Sequence, residues 1–281
     1  MPQTWFITGA ARGIGAEIFR AALAAGHQVA ATGRDPAKIA QAFPQATDRL
    51  LALALDVTDQ AQAHTTAKAA VERFGRIDVL VNNAGYGQLG AFEESTDADV
   101  RTQFETNVFG LMHVTRAVLP HMRAARAGHI FQLSSIAGLR GGAGGSLYCA
   151  SKWAVEGFSE SLAQEVEPFG IRVTCIQPGF FRTDFLDPSS ARFAAPRIAD
   201  YAEFSANLKA GYDARNHAQA GDPVQLAALM LQLAADPNPP FRFPAGTDAV
   251  EIAQGKIESR RAELDQWRAL SATTDGDYDA A

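Results

Sequence analysis

Short apolar runs alternate with longer amphipathic stretches along most of the chain. Trp5-Phe6-Ile7 precedes an Ala-rich helical pattern from Ile14 to Ala25, and further apolar runs follow at Val29-Ala30-Ala31, Leu50 to Leu55, Ile77 to Val81, His129 to Leu133 and Ile171 to Ile176. Six strands are therefore expected, with Phe241-Arg242-Phe243 a candidate seventh. Each run is apolar on both faces and is separated from the next by enough chain for a crossover helix. That pattern predicts a parallel sheet covered on both sides, the doubly wound α/β arrangement with right-handed crossovers, as a single domain over residues 1–270.

Two segments break the alternation. Residues 185–216, after the sixth strand, carry Phe185, Phe193, Tyr201, Phe204 and Tyr212 and are too long for a simple connection, so they are expected to form a partly helical lid. The small, polar stretch 271–281 is expected to be a poorly ordered tail.

The composition narrows the function classes. Hydrophobic residues make up 47% of the 281 and charged residues 20%, the balance of a globular chain with a packed core rather than of a disordered one. The formal net charge of -6, with Lys and Arg dispersed, argues against a nucleic-acid partner. Cys149 and Cys175 have no spacing that suggests a metal site or a disulfide framework, so a reducing, cytoplasmic location is expected. No apolar stretch is long enough to span a bilayer, and the N-terminus lacks the pattern of a secretory signal; a soluble, unprocessed chain is expected.

Thr8-Gly9-Ala10-Ala11-Arg12-Gly13-Ile14-Gly15 lies between the first strand and the first helix, where free N–H groups and the positive dipole end favour an anionic phosphate. Glycine at 9 permits a tight turn, at 13 a close approach of a pyrophosphate, and at 15 close helix–sheet packing. A plain glycine turn is the competing reading.

In Tyr148-Cys149-Ala150-Ser151-Lys152 the tyrosine and lysine are four residues apart, so on a helix they share a face and put an ammonium beside a phenol. A phenol titrates near 10 when unperturbed, and a neighbouring positive charge favours its phenolate. Ser135 ends the fifth strand, at the carboxyl edge where open parallel sheets bind ligands. Asn107 is a poor helix former inside a helical pattern and either is a satisfied buried amide or has a function. After the second strand the chain reads Thr32-Gly33-Arg34-Asp35: a glycine stands where an acid would bond the adenosine 2'-hydroxyl, and an arginine follows. Arg34, with Arg12 as a second cation, therefore points to a 2'-phosphate and to NADPH rather than NADH. The competing reading is two solvated arginines. Asp35 tempers the NADPH reading, though before Pro36 it also suits a helix N-cap.

With these motifs in place the chain resembles the short-chain dehydrogenase/reductase family. Gly9, Gly13 and Gly15 match its glycine spacing, and Asp56-Val57, Asn82-Asn83-Ala84-Gly85, Asn107 and Pro178-Gly179 follow in the family's order. The resemblance runs from about Thr4 to Ala269 and implies a Rossmann fold. It also implies reversible hydride transfer between a nicotinamide and a ketone, aldehyde or secondary alcohol. By the same resemblance Ser135, rather than Ser134, positions the substrate oxygen and Tyr148 is the acid/base. Lys152 also holds the nicotinamide ribose, and Asn107 holds a water in a proton relay. Cofactor contacts are implied at Gly9, Gly13, Ile14, Gly15, Asp56, Val57, Asn83, Ala84, Gly85, Tyr148, Lys152, Pro178 and Gly179, and at Phe181 and Thr183, which are implied to hold the nicotinamide carboxamide. Asn82 to Glu94 and Phe243 to Ala249 resemble the hydroxysteroid and retinol dehydrogenase-like branch. Assembly as a homodimer or homotetramer is implied as well.

The lid's aromatic residues suggest a bulky, hydrophobic substrate, although the same segment could be a subunit contact. Cys149 is expected to be a small core residue. His113, His121 and His129 are expected in solvated or capping roles, with no metal bound. Two rival functions stay open. A nucleotide-sugar epimerase or dehydratase shares the Tyr–Lys pair but needs a larger C-terminal domain, and a non-enzymatic NADP-sensing regulator would be expected to lose catalytic residues that are intact here.

Overall fold

The computed structural model describes residues 2–42, 44 and 48–276. Three βα units open the chain: β1 (Thr4–Ile7), α1 (Gly13–Ala24), β2 (Gln28–Gly33), α2 (Pro36–Ala42), β3 (Leu50–Ala54) and α3 (Gln60–Phe74). Then come β4 (Val79–Asn82), the short β5 (Gly87–Leu89), α4 (Asp97–Phe104) and α5 (Leu111–Ala125). The second half contains β6 (Gly128–Leu133), α6 (Ser146–Val166), β7 (Ile171–Pro178), the short β8 (Ala191–Phe193), α7 (Ala202–Arg215), α8 (Pro223–Ala235), β9 (Arg242–Ala245) and α9 (Thr247–Ala272).

Seven strands form one parallel sheet in the order β3-β2-β1-β4-β6-β7-β9. All six strands read from the apolar runs are present, and the seventh candidate is the edge strand β9. The strands are apolar on both faces because both faces are covered. On one side Ile18 and Phe19 of α1 and Leu226 and Met230 of α8 pack on Trp5, Ile7, Val29 and Val81. On the other, Ala63 and Ala67 of α3, Val114 and Val118 of α5 and Leu162 of α6 pack on Phe6, Leu80 and Ile130. The strand order reverses between β1 and β4, which opens a crevice at their carboxyl ends.

Three features depart from the sequence reading. A second, two-stranded parallel sheet pairs Gly87, Gln88 and Leu89 with Ala191, Arg192 and Phe193, and so fastens the start of the 185–216 segment to the chain after β4. His129 is neither solvated nor capping. It is buried against Phe131, with ring centroids 4.0 Å apart, it meets the Thr174 hydroxyl at 2.9 Å, and burial pushes its pKa down to about 3. The chain beyond 270 begins as helix, since α9 runs through Ser271 and Ala272; residues 277–281 of the expected tail lie outside the described residues. Among the described residues no helix is long and apolar enough to cross a membrane.

Candidate active site

The crevice is a cleft of about 1160 Å³ running along the carboxyl ends of the strands. At its centre β1 ends in the glycine loop. Gly9 takes a positive φ of 64°, and a Cβ there would lie 3.0 Å from the Ala84 Cα. At Gly15 a Cβ would come within 2.4 Å of Asn83 Nδ2 and 2.5 Å of the Gly9 carbonyl, so α1 approaches the sheet only because that residue has no side chain. The loop is tied to β4 by Thr8, whose hydroxyl accepts the Asn83 and Ala84 N–H groups at 3.0 Å, and by Asn83, whose Nδ2 donates to the carbonyls of Thr8 and Gly9 at 3.0 and 3.1 Å. Asn83 therefore shapes the loop while also lining the cleft with Ala84 and Gly85. The N-terminus of α1 has neither a side-chain cap nor an acidic residue in its first turn, which leaves its N–H groups available to an anion.

Arg34 is exposed at the cleft wall beside Gly33, and Asp56 and Val57 line the same end. Asp35 is committed to the start of α2, accepting from the Ala37 N–H at 3.1 Å, and Asp56 to a turn in which it accepts from the Thr58 N–H and hydroxyl at 3.0 and 2.8 Å. Arg12, the second cation, also lines the cleft and is engaged within the protein. Its guanidinium donates to the Ser190 hydroxyl at 2.6 Å, to the Ser189 carbonyl at 3.1 Å and to the Ser189 hydroxyl, so it clasps the segment after β7. This glycine loop, the uncapped helix and the exposed Arg34 fit a dinucleotide.

Ser135, Tyr148 and Lys152 meet at the other half of the cleft, with Ser134 beside them. Ser135 caps a 3-10 turn, accepting from the Ala137 N–H at 3.1 Å, and its hydroxyl is near enough to Tyr148 to favour the phenolate. The Ser134 hydroxyl packs beneath Gly138, where a Cβ would come within 2.5 Å of it. Lys152 is buried. Its Nζ donates to the Leu133 carbonyl at 2.6 Å and lies 5.8 Å from the Tyr148 ring centre. Burial pulls its pKa down to about 8, opposed by the charge of Glu156.

Tyr148 sits at the cleft in a desolvated setting. Burial raises the Tyr148 pKa above the usual phenol value, and the nearby Ser135 hydroxyl only partly opposes this. Desolvation is the largest cause of the shift, and it favours the protonated phenol.

Asn107 does not line the cleft. It sits 2% exposed in a π-helical stretch, Glu105–Gly110, between α4 and α5. Its Nδ2 donates to the Tyr86 carbonyl at 2.9 Å and to the Ser151 hydroxyl at 3.2 Å, and its Oδ1 accepts from the Tyr86 N–H at 3.1 Å. A Cβ on Gly85 would lie 3.2 Å from that Oδ1 and 3.8 Å from Lys152 Nζ, which places Asn107 close to the lysine.

Glu156 escaped the sequence reading. It lies one turn beyond Lys152, is buried, accepts from Gln177 Nε2 at 3.0 Å and pairs with Arg242 at 3.1 Å. The available signal was a third polar residue at the same four-residue spacing in a largely apolar helix.

Pro178, Gly179, Phe181 and Thr183 border the cleft beyond β7, followed by Phe185 and Leu186. Further along, Glu94 is buried and holds the backbone of the 185–216 segment, accepting from the Arg197 and Ile198 N–H groups at 2.7 and 3.1 Å and from the Ser205 hydroxyl at 2.9 Å. Those bonds keep its carboxyl below the usual range. Asp187 accepts from Asn216 Nδ2 at 2.7 Å and contacts His217 Nε2 at 3.2 Å, joining the two ends of the segment.

Residues 3–192 match the model of the short chain dehydrogenase family. The chain belongs to that family, whose members are oxidoreductases acting between alcohol and carbonyl groups. It is 39% identical over 259 residues to the 3-ketodihydrosphingosine reductase of Bacteroides thetaiotaomicron, covering 92% of this chain and 93% of that protein. The crystal structure of a short-chain dehydrogenase from Streptomyces avermitilis is similar over 98% of this chain and 100% of its own, at 40% identity and a TM-score of 0.89. ElxO with NADP bound is similar over 83% and 92%, at 29% identity and a TM-score of 0.69.

Proposed function

We propose that this protein is an NADPH-dependent carbonyl reductase that works reversibly on a hydrophobic ketone or aldehyde. The observation that carries the reading is a single cleft with Ser135, Tyr148 and Lys152 in one half and Arg34 at the other end, where Gly33 rather than an acid ends β2 and Asp35 is engaged by the Ala37 N–H at the start of α2. Guanidinium groups recognise phosphate through paired, charge-assisted hydrogen bonds, which favours the phosphorylated dinucleotide. ElxO, a structural relative, binds NADP, and the Bacteroides relative is named for reducing a ketone on a sphingoid chain.

A bound nicotinamide would supply the hydride. Ser135 would hold the substrate oxygen by its hydroxyl, and Tyr148, kept protonated by burial, would donate its phenolic proton to that oxygen as the alcohol forms. Lys152 would stabilise the resulting phenolate through its ammonium and hold the nicotinamide ribose. Asn107 would act as a positioning residue beside that ammonium, part of the route by which the proton is replaced. Phe185 and Leu186 would form the apolar wall of a lid over residues 185–216.

The test is a panel of short and long-chain ketones, aldehydes and alcohols, assayed by nicotinamide absorbance with NADPH and NADH. Turnover of long-chain ketones with NADPH is expected. Binding of NADPH without turnover of any carbonyl or alcohol would favour the sensor reading instead.

A further inference from the structure

Lys152 and Glu156 stand four residues apart on α6 and share a face, and that face is turned into the protein: Lys152 is 7% exposed and Glu156 6%. A buried ammonium is costly unless hydrogen bonds and an opposite charge compensate it. The Leu133 carbonyl gives Lys152 Nζ a neutral acceptor at 2.6 Å. Glu156 gives the charge. Its carboxylate is pinned, with Oε1 accepting from Gln177 Nε2 of β7 at 3.0 Å and Oε2 from Arg242 Nε of β9 at 3.1 Å. Its Cγ also packs under the loop that carries Ser135, where a Cβ on Gly138 would lie 3.1 Å from it.

The other groups around α6 leave this compensation to Glu156. Burial favours the protonated form of Tyr148, and it pushes the Cys175 thiol of β7 up to about 12. Ser134 and Ser135 after β6, Ser151, and Asn107 in the π-helical stretch are neutral. β5 carries no charged residue, and α4 commits its acids elsewhere, Asp97 to Arg101 and Asp99 to the Thr96 cap. Arg140 and Glu167, before and after α6, are exposed. Arg242 is shared, since its Nη2 also bonds the exposed Glu160 at 2.7 Å. The row Lys152, Glu156, Arg242, Glu160 thus alternates in sign from the cleft to the surface, and Arg242 draws off part of the charge that Lys152 would otherwise feel.

We propose that Glu156 is a positioning residue for the reaction: it supplies the countercharge that keeps buried Lys152 an ammonium, and Arg242 sets how much of that charge the lysine receives. The inference rests on the reading of Lys152 as the group that stabilises the Tyr148 phenolate. A purely structural role would account for the bonds to Gln177 and Arg242 but gives no reason for Glu156 to govern a titration at the cleft.

The pH profile of ketone reduction at saturating cofactor and ketone, measured for the wild type, Glu156→Gln and Arg242→Gln, tests this. Reduction needs the ammonium, so the rate falls where Lys152 loses its proton. Glu156→Gln keeps an acceptor for Gln177 but removes the negative charge, which favours the neutral amine, and is expected to move the fall to lower pH by about one unit. Arg242→Gln leaves the carboxylate's charge undivided and is expected to move the fall to higher pH by about half a unit. Loosened packing would slow both variants without moving their profiles in opposite directions. Profiles that fall at the same pH in all three proteins, or that shift the same way in both variants, would overturn the role of Glu156 while leaving that of Lys152 intact. If Glu156→Gln does not fold, Arg242→Gln decides: an upward shift supports the role and an unmoved profile overturns it. A wild-type rate still level at pH 10 would overturn the lysine reading and this inference with it.

Discussion

The Phe185 ring lies against the Tyr148 ring, with centroids 5.6 Å apart and planes tilted by 47°, and a Cβ on Gly87 would touch both. The segment that follows β7 thus forms a wall on the tyrosine itself, and any substrate oxygen that reaches the phenol must pass this apolar edge.

Replacing Phe185 and Leu186 together with alanine should therefore raise KM for large ketones severalfold, with NADPH affinity and subunit assembly unchanged. Steady-state kinetics with short and long ketones, alongside sizing chromatography, check this. An assembly that breaks apart with unaltered kinetics would instead make the segment a subunit contact.

Arg34→Ala should weaken NADPH by about tenfold, since a charge-assisted contact on an exposed arginine falls at the lower end of its range. NADH affinity should change little, because it lacks the 2'-phosphate. Dissociation constants for both cofactors decide the matter, and equal losses would make Arg34 merely structural.

The two shifted groups of α6 set a pH dependence. Ketone reduction needs the Tyr148 proton, which burial retains through neutral pH and beyond, and it needs the Lys152 ammonium, whose pKa burial lowers to about 8. The rate of reduction should then be level below about pH 8 and fall above it as Lys152 loses its charge. Alcohol oxidation needs the deprotonated phenol and should rise with pH. A reduction rate still level at pH 10 would contradict the role given to the ammonium.

Gly15→Ala should destabilise the protein by about 2 kcal/mol or more, because overpacking of this kind forces the backbone to shift. The Asn83 amide and the Gly9 carbonyl occupy the space a methyl group would need. Urea unfolding measures the loss, and a variant as stable as the wild type would mean that α1 can move away from the loop at no cost.

The parts of the molecule visible in the sequence are those with a local signature. All seven strands of the main sheet stand on apolar runs, and the glycine loop and the Tyr148–Lys152 pair stand on fixed spacings. The second sheet was hidden because Gly87-Gln88-Leu89 and Ala191-Arg192-Phe193 are three residues each and pair through their backbones across a hundred residues. The engagement of Arg12 has no local signature because its partners, Ser189 and Ser190, are about 180 positions away. The phenol's surroundings are similar: spacing along a helix shows the neighbouring ammonium, whereas the desolvation that raises the phenol pKa comes from packing that no local pattern records. Glu156 was overlooked because its partners Gln177 and Arg242 come from other strands.

The central claim is proton transfer from Tyr148 during hydride transfer. Its most direct test is turnover of a ketone with NADPH by the wild type and Tyr148→Phe, with the NADPH dissociation constant of each measured by fluorescence. The predicted result is a loss of turnover of at least about a hundredfold, with NADPH affinity nearly unchanged, since Tyr148 stands in the half of the cleft away from Arg34 and Asp56. A phenylalanine variant that still reduces the ketone near the wild-type rate would contradict it.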